Sequence, residues 1–517
     1  MNHRYQPEVR IFCSLFVVLV ALRILYAILF PFDLSGDEAY YWDWGRSLSW
    51  GYFSKPPFIA WLMALAGWMG HNSDTGLRIT AAMLGSGSVL MMYLLALRLF
   101  GSRAALWTVL LTIASPANVA LNLILTIDAP LMFFWPLALL TFHLQIHDRD
   151  HRTIWGLLTM TALGLGLLTK QIMIAFHIMM LLYLVITPSR RALLRAWDIW
   201  VVWIGSLSFL IPTILWNANN GWITVTHTQH HFEGKPITLL GILSRAGEFV
   251  GSQIGLLSPV TAVLVIILMV CCLRKWKTLD DKIRYLLSFS VPGLVIVLLM
   301  LFRQKINANW PAVFYPGMIM LLGAALAHAD SIPKELASRF SKWKTPALIT
   351  GLVFMLIASL MPFALLFSGQ TGGRFDPMVR LQGWSELANH VQRFREFHRS
   401  ALDQPFVLVS GHRYNTSLLA FYLPDQPTVY RWPNESGKIE SQYEIWGHPD
   451  SLEGRNAIIV VPEEDKRRSS AWKQSFDQIS EGTAIEVPAG QLKTRQYTLY
   501  TAKGYRLVPV TPSHPLQ

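Results

Sequence analysis

Eleven apolar segments separated by short, basic-tipped loops constrain this chain more than any single motif does. They run roughly over 11–30, 77–97, 104–125, 129–146, 153–169, 171–187, 197–216, 249–272, 283–301, 310–328 and 345–368. An upright helix needs about 20 residues to cross the hydrocarbon layer, and most of these runs approach that length. In lipid each backbone polar group must find its partner within the segment, so runs like these are expected to be helices. The stretch 11–30 (IFCSLFVVLVALRILYAILF) has no small-residue cleavage site after it and is followed by further spans. It reads as a retained first helix, not a signal peptide. The shorter, tryptophan-containing 57–70 (PFIAWLMALAGWMG) is expected to lie at the interface.

Loops rich in Lys and Arg set the orientation. Arg98 with Arg103, Arg149 with Arg152, SRRALLR at 189–195, RKWKTLDDKIR at 274–284 and KELASRFSKWK at 334–344 all fall on one side. Placing them in the cytoplasm gives a cytoplasmic N-terminus and an external C-terminus. Polar stretches 31–56, 126–128, 217–248 and 303–309 then meet at the outer face, and Lys170 lies on that side as well. Charged residues are only 15% of the chain against 52% hydrophobic, where a soluble chain carries about 25% charge. The net charge of +12 is concentrated in loops beside the spans. Its expected partners are therefore anionic membrane lipids, not nucleic acid. Cys13, Cys271 and Cys272 lie in apolar runs or at their ends, so an exported domain could not rest on disulfides.

After Gln370 the text changes to short alternating or apolar stretches (PFVLVS, NAIIVV, YTLY) among polar, proline-containing loops. The expected division is a transmembrane domain over 1–369 and a soluble domain over 370–517. Helix-like 381–398 followed by several strands suggests a small α/β unit.

The first external loop concentrates the chemistry. Asp33, Asp37, Glu38 and Asp43 fall among Tyr40, Tyr41, Trp42, Trp44 and Trp50. Carboxylates this close to an apolar surface are costly unless paired or solvated, and crowding of like charge tends to raise one pKa, as a general base requires. An ordinary wet loop with an aromatic belt is the competing reading. Asp128, between LNLILTI and APLMFFW, either caps a helix start or faces the same crevice as Asp37. Lys55, Arg303 and Lys305 bring positive charge to that face, enough to hold a phosphate by charge-assisted bonds. HTQHHFE at 227–233 matches no strong zinc spacing and no metal ligands are assigned to it. No P-loop, GxGxxG, GxSxG or HExxH is present, which argues against a cytoplasmic nucleotide-dependent enzyme. Gln442, Tyr443 and Trp446 could contact a sugar or simply pack.

SGDEAYYWDW, YFSKPPFIAWL, RITAAMLGSGSVLMMYLLALRLFG, LTIDAP and GLGLLTK, in this order, resemble bacterial integral-membrane glycosyltransferases of the protein O-mannosyltransferase and aminoarabinose-transferase superfamily (glycosyltransferase families 39 and 83). RYNTSLLAFYLPDQP and SQYEIWG are similar to the small periplasmic domain of many bacterial members. The resemblance implies a polytopic all-α GT-C fold of about 11–13 transmembrane helices, with a periplasmic α/β C-terminal domain, in the bacterial inner membrane. It implies inverting transfer of a sugar from a polyprenyl-phosphate donor to an envelope acceptor: lipid A, lipopolysaccharide core, another glycan or a protein. Asp37 falls on the family's acidic catalytic position with Glu38 beside it, and Asp128 on the second. Lys55 matches a lysine near the donor phosphate, with Arg303 and Lys305 as further phosphate-binding candidates. Tyr40, Tyr41 and Tyr443 are the candidates for acceptor or sugar contact. Aminoarabinose transferases carry Glu-Lys-Pro-Pro where this chain has Ser54 before Lys55, which weakens any claim to the same donor sugar or to a lipid A acceptor. No cofactor is required, and a divalent cation is allowed but not demanded, because the cations could neutralise the phosphate themselves. The alternatives are a lipid-linked glycan ligase or polymerase, and a lipid-linked sugar transporter. The transporter predicts paired repeats or broken midmembrane helices.

Overall fold

The computed structural model describes residues 7–232, 238–433, 438–466 and 471–507. Two compact units emerge. One comprises Met1–Leu29, Arg78–Trp216 and Thr228–Leu360, and the other Phe30–Leu77, Asn217–His227 and Met361–Gln517. The division expected at 369/370 follows the chain, whereas the compact units follow contacts: the second takes in the first external loop together with the C-terminal region.

The first unit is helical throughout its described residues. Among them, seven helices in the chain are long and apolar enough to cross a membrane, or up to ten if each of three bent pairs counts as one span. Ala312–Ala327 is a shorter apolar helix. This is a multi-pass membrane protein, and every expected segment falls on a helix, but two are not straight. The expected span 249–272 is Leu239–Leu257 followed by Pro259–Arg274, bent by 106°. Ser258 at the break has φ 72°, and Pro259 offers no N–H to carry the ladder across. Likewise 104–125 divides into Ser102–Ile113 and Pro116–Leu123, bent by 67°. Arg23, inside the first span, is tolerated because its guanidinium donates to Ser86 Oγ (2.7 Å) and Asn118 Oδ1 (2.6 Å), the pairing a buried cation in lipid demands.

In the second unit, Gly36–Gly45 and Phe58–Met69 are short helices. The latter spans 12 residues, about 18 Å of rise and too short to cross. Its Trp68 and Met69 are exposed. From residue 371 onward the chain is extramembrane and mixed α/β. Its sheet runs in the order β2 (Val429–Arg431), β1 (Phe406–Val409), β3 (Ala457–Pro462), β6 (Thr494–Tyr505), β4 (Phe476–Ile479), with β5 (Thr483–Pro488) also on β6. β1 pairs in parallel with β2 and β3, and β6 is antiparallel to its neighbours. All six residues of β3 are buried, the signature of a strand covered on both faces. One face packs Phe406, Leu408, Ile459, Trp472 and Tyr500.

His448 bridges the edge strand β2 and the strand β6 of this sheet. Its Nε2 lies 3.0 Å from the Arg431 carbonyl and its Nδ1 lies 2.5 Å from the Tyr505 hydroxyl. A neutral ring satisfies both, Nε2 donating and Nδ1 accepting from Tyr505. Burial holds its pKa below the usual value. For a depressed folded pKa, the stabilisation is present above the unfolded value of about 6.5 and is lost as pH falls through the folded one. The full chain should therefore melt lower at about pH 5 than at about pH 7.5. His448→Gln, which retains one donor and one acceptor, should flatten that difference. An equal drop in wild type and variant, read by tryptophan fluorescence, would assign the pH dependence elsewhere.

Candidate functional site

In the second unit, the Gly36–Gly45 helix begins with a capping box. Ser35 Oγ accepts from Glu38 N (3.2 Å) and Glu38 carboxylate accepts from Ser35 N (2.9 Å). Reciprocal capping of this kind satisfies two otherwise orphaned donors. Glu38 is 1% exposed, so this expected catalytic neighbour is committed to the cap. Asp33 accepts from the backbone N–H of Trp384 (2.7 Å) and Ser385 (3.3 Å), at the start of the Trp384–Phe397 helix, where an anion meets the positive end of the dipole. Asp43 is held by Arg46 (3.2 Å) and the Tyr443 hydroxyl (2.7 Å). Burial raises its pKa, against the lowering effect of those two partners.

Asp37 is arranged differently. Its side chain is 43% exposed, in the first turn of its helix. Tyr414 donates to Oδ1 at 3.0 Å, and Arg413 Nη2 lies 3.5 Å from the same oxygen. Oδ2 has no partner among the described residues. Arg413 and Tyr414 open the Arg413–Tyr422 helix, and neither was singled out in the sequence as a site residue. The signal available there was an Arg-Tyr pair in the motif RYNTSLLAFYLPDQP. Burial first, and then the Asp37 charge, raise the Tyr414 pKa and keep it a donor.

Lys55 is half-buried in the bend before Phe58–Met69. Tyr40, Tyr41 and Tyr443 are nearly buried. Tyr40 hydroxyl accepts from Gln442 N at 2.6 Å, and Tyr443 is spent on Asp43. A cavity of about 320 Å³ opens at the C-terminal end of the Gly36–Gly45 helix, lined by Asp43, Arg46, Arg431, Tyr443 and Trp446 among others. Of the three tyrosines expected to touch sugar, Tyr443 alone lines it, and the aromatic side chain left exposed there is Trp446. His227 packs on Phe53. Glu233 and the side chains of His230 and His231 lie outside the described residues.

In the first unit, Asp128 is the first residue of Asp128–His147. Its Oδ1 receives Lys170 Nζ at 2.9 Å and its Oδ2 receives Asn309 Nδ2 at 2.5 Å. Asp128 and Lys170 are 13% and 15% exposed. Asn309 thereby ties down the 301–311 segment, which carries Arg303 and Lys305. Lys305 pairs with Glu248 at 2.6 Å, with both groups exposed. Such a surface pair adds little stability and is easily exchanged for another anion. Arg303 is exposed, with no partner among the described residues. Asp37, Glu38, Lys55 and the tyrosines thus belong to one unit, and Asp128, Arg303 and Lys305 to the other.

Residues 54–216 match a family described as dolichyl-phosphate-mannose-protein mannosyltransferase. The lipid A galacturonosyltransferase RgtD of Rhizobium johnstonii is 29% identical over 290 residues, 55% of this chain and 58% of that protein. The likeness therefore spans a little over half of that relative. ArnT from Cupriavidus metallidurans has a similar structure in its apo state, with TM-score 0.63 at 16% identity over 95% of this chain and 97% of that one. The same protein bound to undecaprenyl phosphate gives TM-score 0.61 at 16% identity, over 95% and 98%. AglB from Archaeoglobus fulgidus gives 0.51 at 12% identity, over 88% of this chain and 70% of that one.

Proposed function

We propose, from the GT-C fold that this chain shares with those membrane transferases, that it is a glycosyltransferase moving a sugar from a polyprenyl-phosphate donor to an acceptor in the cell envelope. The observation that carries the reading is Asp37, a carboxylate 43% exposed, with Oδ1 held by protein groups and Oδ2 without a partner among the described residues. In the proposed reaction the acceptor hydroxyl attacks the anomeric carbon while Asp37 takes its proton. The bond from that carbon to the phosphate oxygen breaks, and the electron pair leaves with polyprenyl phosphate. Attack opposite the leaving group inverts the anomeric centre. In the second unit Lys55 stabilises the negative charge that grows on the phosphate; for the first unit the proposal is that Arg303, and Lys305 once it gives up Glu248, bind the anionic donor lipid. Asp128, with both oxygens engaged, acts as the anchor of the cationic 301–311 segment. The sugar–phosphate bond supplies the activation, so no nucleotide enters, and these cations do the work a divalent ion would otherwise do.

The acceptor is proposed to be lipid A and the sugar a uronic acid. This follows a relative named as a lipid A galacturonosyltransferase. Mass spectrometry of envelope lipids from cells with and without the chain tests this. The expected result is loss of one hexuronosyl mass from lipid A in the deletion strain, restored by the wild-type chain. With the purified chain acting on lipid extract from the deletion strain, the rate is expected to be unchanged by EDTA. An unaltered envelope with polyprenyl-phosphate sugar accumulating would instead indicate a carrier.

A further inference from the structure

We propose that Arg413 and Tyr414, at the start of the Arg413–Tyr422 helix, are positioning residues that aim Asp37 for proton abstraction. The inference rests on the reading of Asp37 as the base. Both groups act on one carboxylate oxygen. Tyr414 donates to Oδ1 at 3.0 Å, Arg413 Nη2 donates to the Tyr414 hydroxyl at 3.3 Å, and the guanidinium lies 3.5 Å from Oδ1. With Oδ1 fixed, the carboxylate cannot spin freely, and Oδ2 is the oxygen presented to an incoming hydroxyl. Arg413 is itself immobilised between two rings, its Cζ lying 5.0 Å from the centroid of Tyr40 and 4.9 Å from that of Tyr414.

Gly36 completes the arrangement. A Cβ built there would stand 2.2 Å from Cγ of Tyr414, so the tyrosine ring occupies the space that any side chain at position 36 would take. A glycine in the first turn of a helix is otherwise unhelpful, because it is less favourable than alanine by about 1 kcal/mol in a helix interior. Its presence is explained by the close approach of the tyrosine next to Asp37.

The competing account is that Arg413 and Tyr414 merely fasten the first external loop to the C-terminal region. That fastening is already made several times over. Leu34 N donates to Tyr422 hydroxyl (2.6 Å), Gln442 N to Tyr40 hydroxyl (2.6 Å), Tyr443 to Asp43 (2.7 Å) and Trp384 N to Asp33 (2.7 Å). Loss of one hydroxyl at 414 leaves all four in place, so a loss of rate without a loss of stability points to Asp37.

The test uses the purified full chain and total lipid extract from a strain lacking it, following the gain of a glycosyl mass per unit time. Tyr414→Phe is expected to slow turnover about 10- to 100-fold, the worth of a hydrogen bond to a charged group, with the melting temperature unchanged. Arg413→Gln should lose a similar factor and Arg413→Lys should recover part of it. Gly36→Ala should slow turnover by displacing the ring. In an Asp37→Asn background, Tyr414→Phe should change the residual rate by less than about twofold, because its route of action is gone. Wild-type turnover by Tyr414→Phe and by Gly36→Ala, with Asp37→Asn still defective, overturns the positioning role alone. Equal slowing by Tyr414→Phe with and without the Asp37 carboxylate also overturns it. Wild-type turnover by Asp37→Asn instead removes the base assignment beneath both.

Discussion

Asp37→Asn is expected to reduce sugar transfer by about 10²- to 10⁴-fold, the usual contribution of a positioned general base. The substitution is nearly isosteric, and the amide oxygen can still accept from Tyr414. It removes the negative charge and the ability to take a proton, and little else. The side chain is 43% exposed, so no packing is lost, and the favourable placement of a negative charge in the first helical turn is worth only about 0.3–1 kcal/mol. The variant should therefore fold, insert and retain donor, which separates chemistry from assembly. Asp37→Glu, with the carboxylate displaced by one methylene, should fall between wild type and Asn, since displacements near an ångström are costly in such sites. Asn at Asp33 or Asp43 should leave the chemical step far less affected, because those carboxylates serve a helix start and the Arg46–Tyr443 pair. The decisive measurement is the rate of glycosyl mass gain on lipid extract, alongside a melting curve. Turnover within about threefold of wild type by a folded Asp37→Asn chain would falsify the assignment.

The helical scaffold was legible in the sequence because lipid leaves few options. A run such as 345–368 can satisfy its backbone only as a helix, and Lys344–Phe367 is one. The bend at Ser258 was masked because the text is apolar on both sides of it; its signal is Pro259, whose missing N–H interrupts the ladder, beside the positive φ of Ser258. In the C-terminal region, PFVLVS, NAIIVV and YTLY fall on β1, β3 and β6 because fully buried strands read as continuous apolar text. β4, with Asp477 and Gln478 exposed between Phe476 and Ile479, offers no comparable signal. The acidic cluster in the first loop was visible, but its sorting was not. Which of Asp33, Asp37, Glu38 and Asp43 is open depends on partners such as Trp384, Tyr414 and Tyr443, the last two 377 and 400 positions away from the carboxylates they bind. Local pattern carries no such information. For the same reason, nothing in SGDEAYYWDW announced that it shares a compact unit with the C-terminal sheet. Asn309 escaped notice because a single amide in RQKINAN is ordinary loop text until its partner is known.

Lys170→Met should lower stability by about 3 kcal/mol. Asp128 and Lys170 are only 13% and 15% exposed, so removing the ammonium leaves a largely buried carboxylate with, among the described residues, the Asn309 amide as partner. An unpaired charge in such a place costs more than the pair itself contributes, since the pair's attraction chiefly offsets its own desolvation. That asymmetry yields a sharper prediction for the double variant. Asp128→Asn with Lys170→Met removes both charges, and it should regain most of the lost melting temperature. It should not regain activity. An asparagine at 128 holds Asn309 by a neutral amide contact, weaker than the present charge-assisted one, and the 301–311 segment with Arg303 is then less firmly fixed. The defect should appear as a raised KM for donor with kcat less affected, on the proposal that Arg303 binds the anionic donor lipid. Melting curves on the two single variants and the double, with initial rates over a range of lipid extract, resolve the two effects. A double variant as unstable as Lys170→Met would place the cost in packing instead of charge. One that is both stable and fully active would show that Asp128 neither anchors the cationic segment nor takes part in transfer.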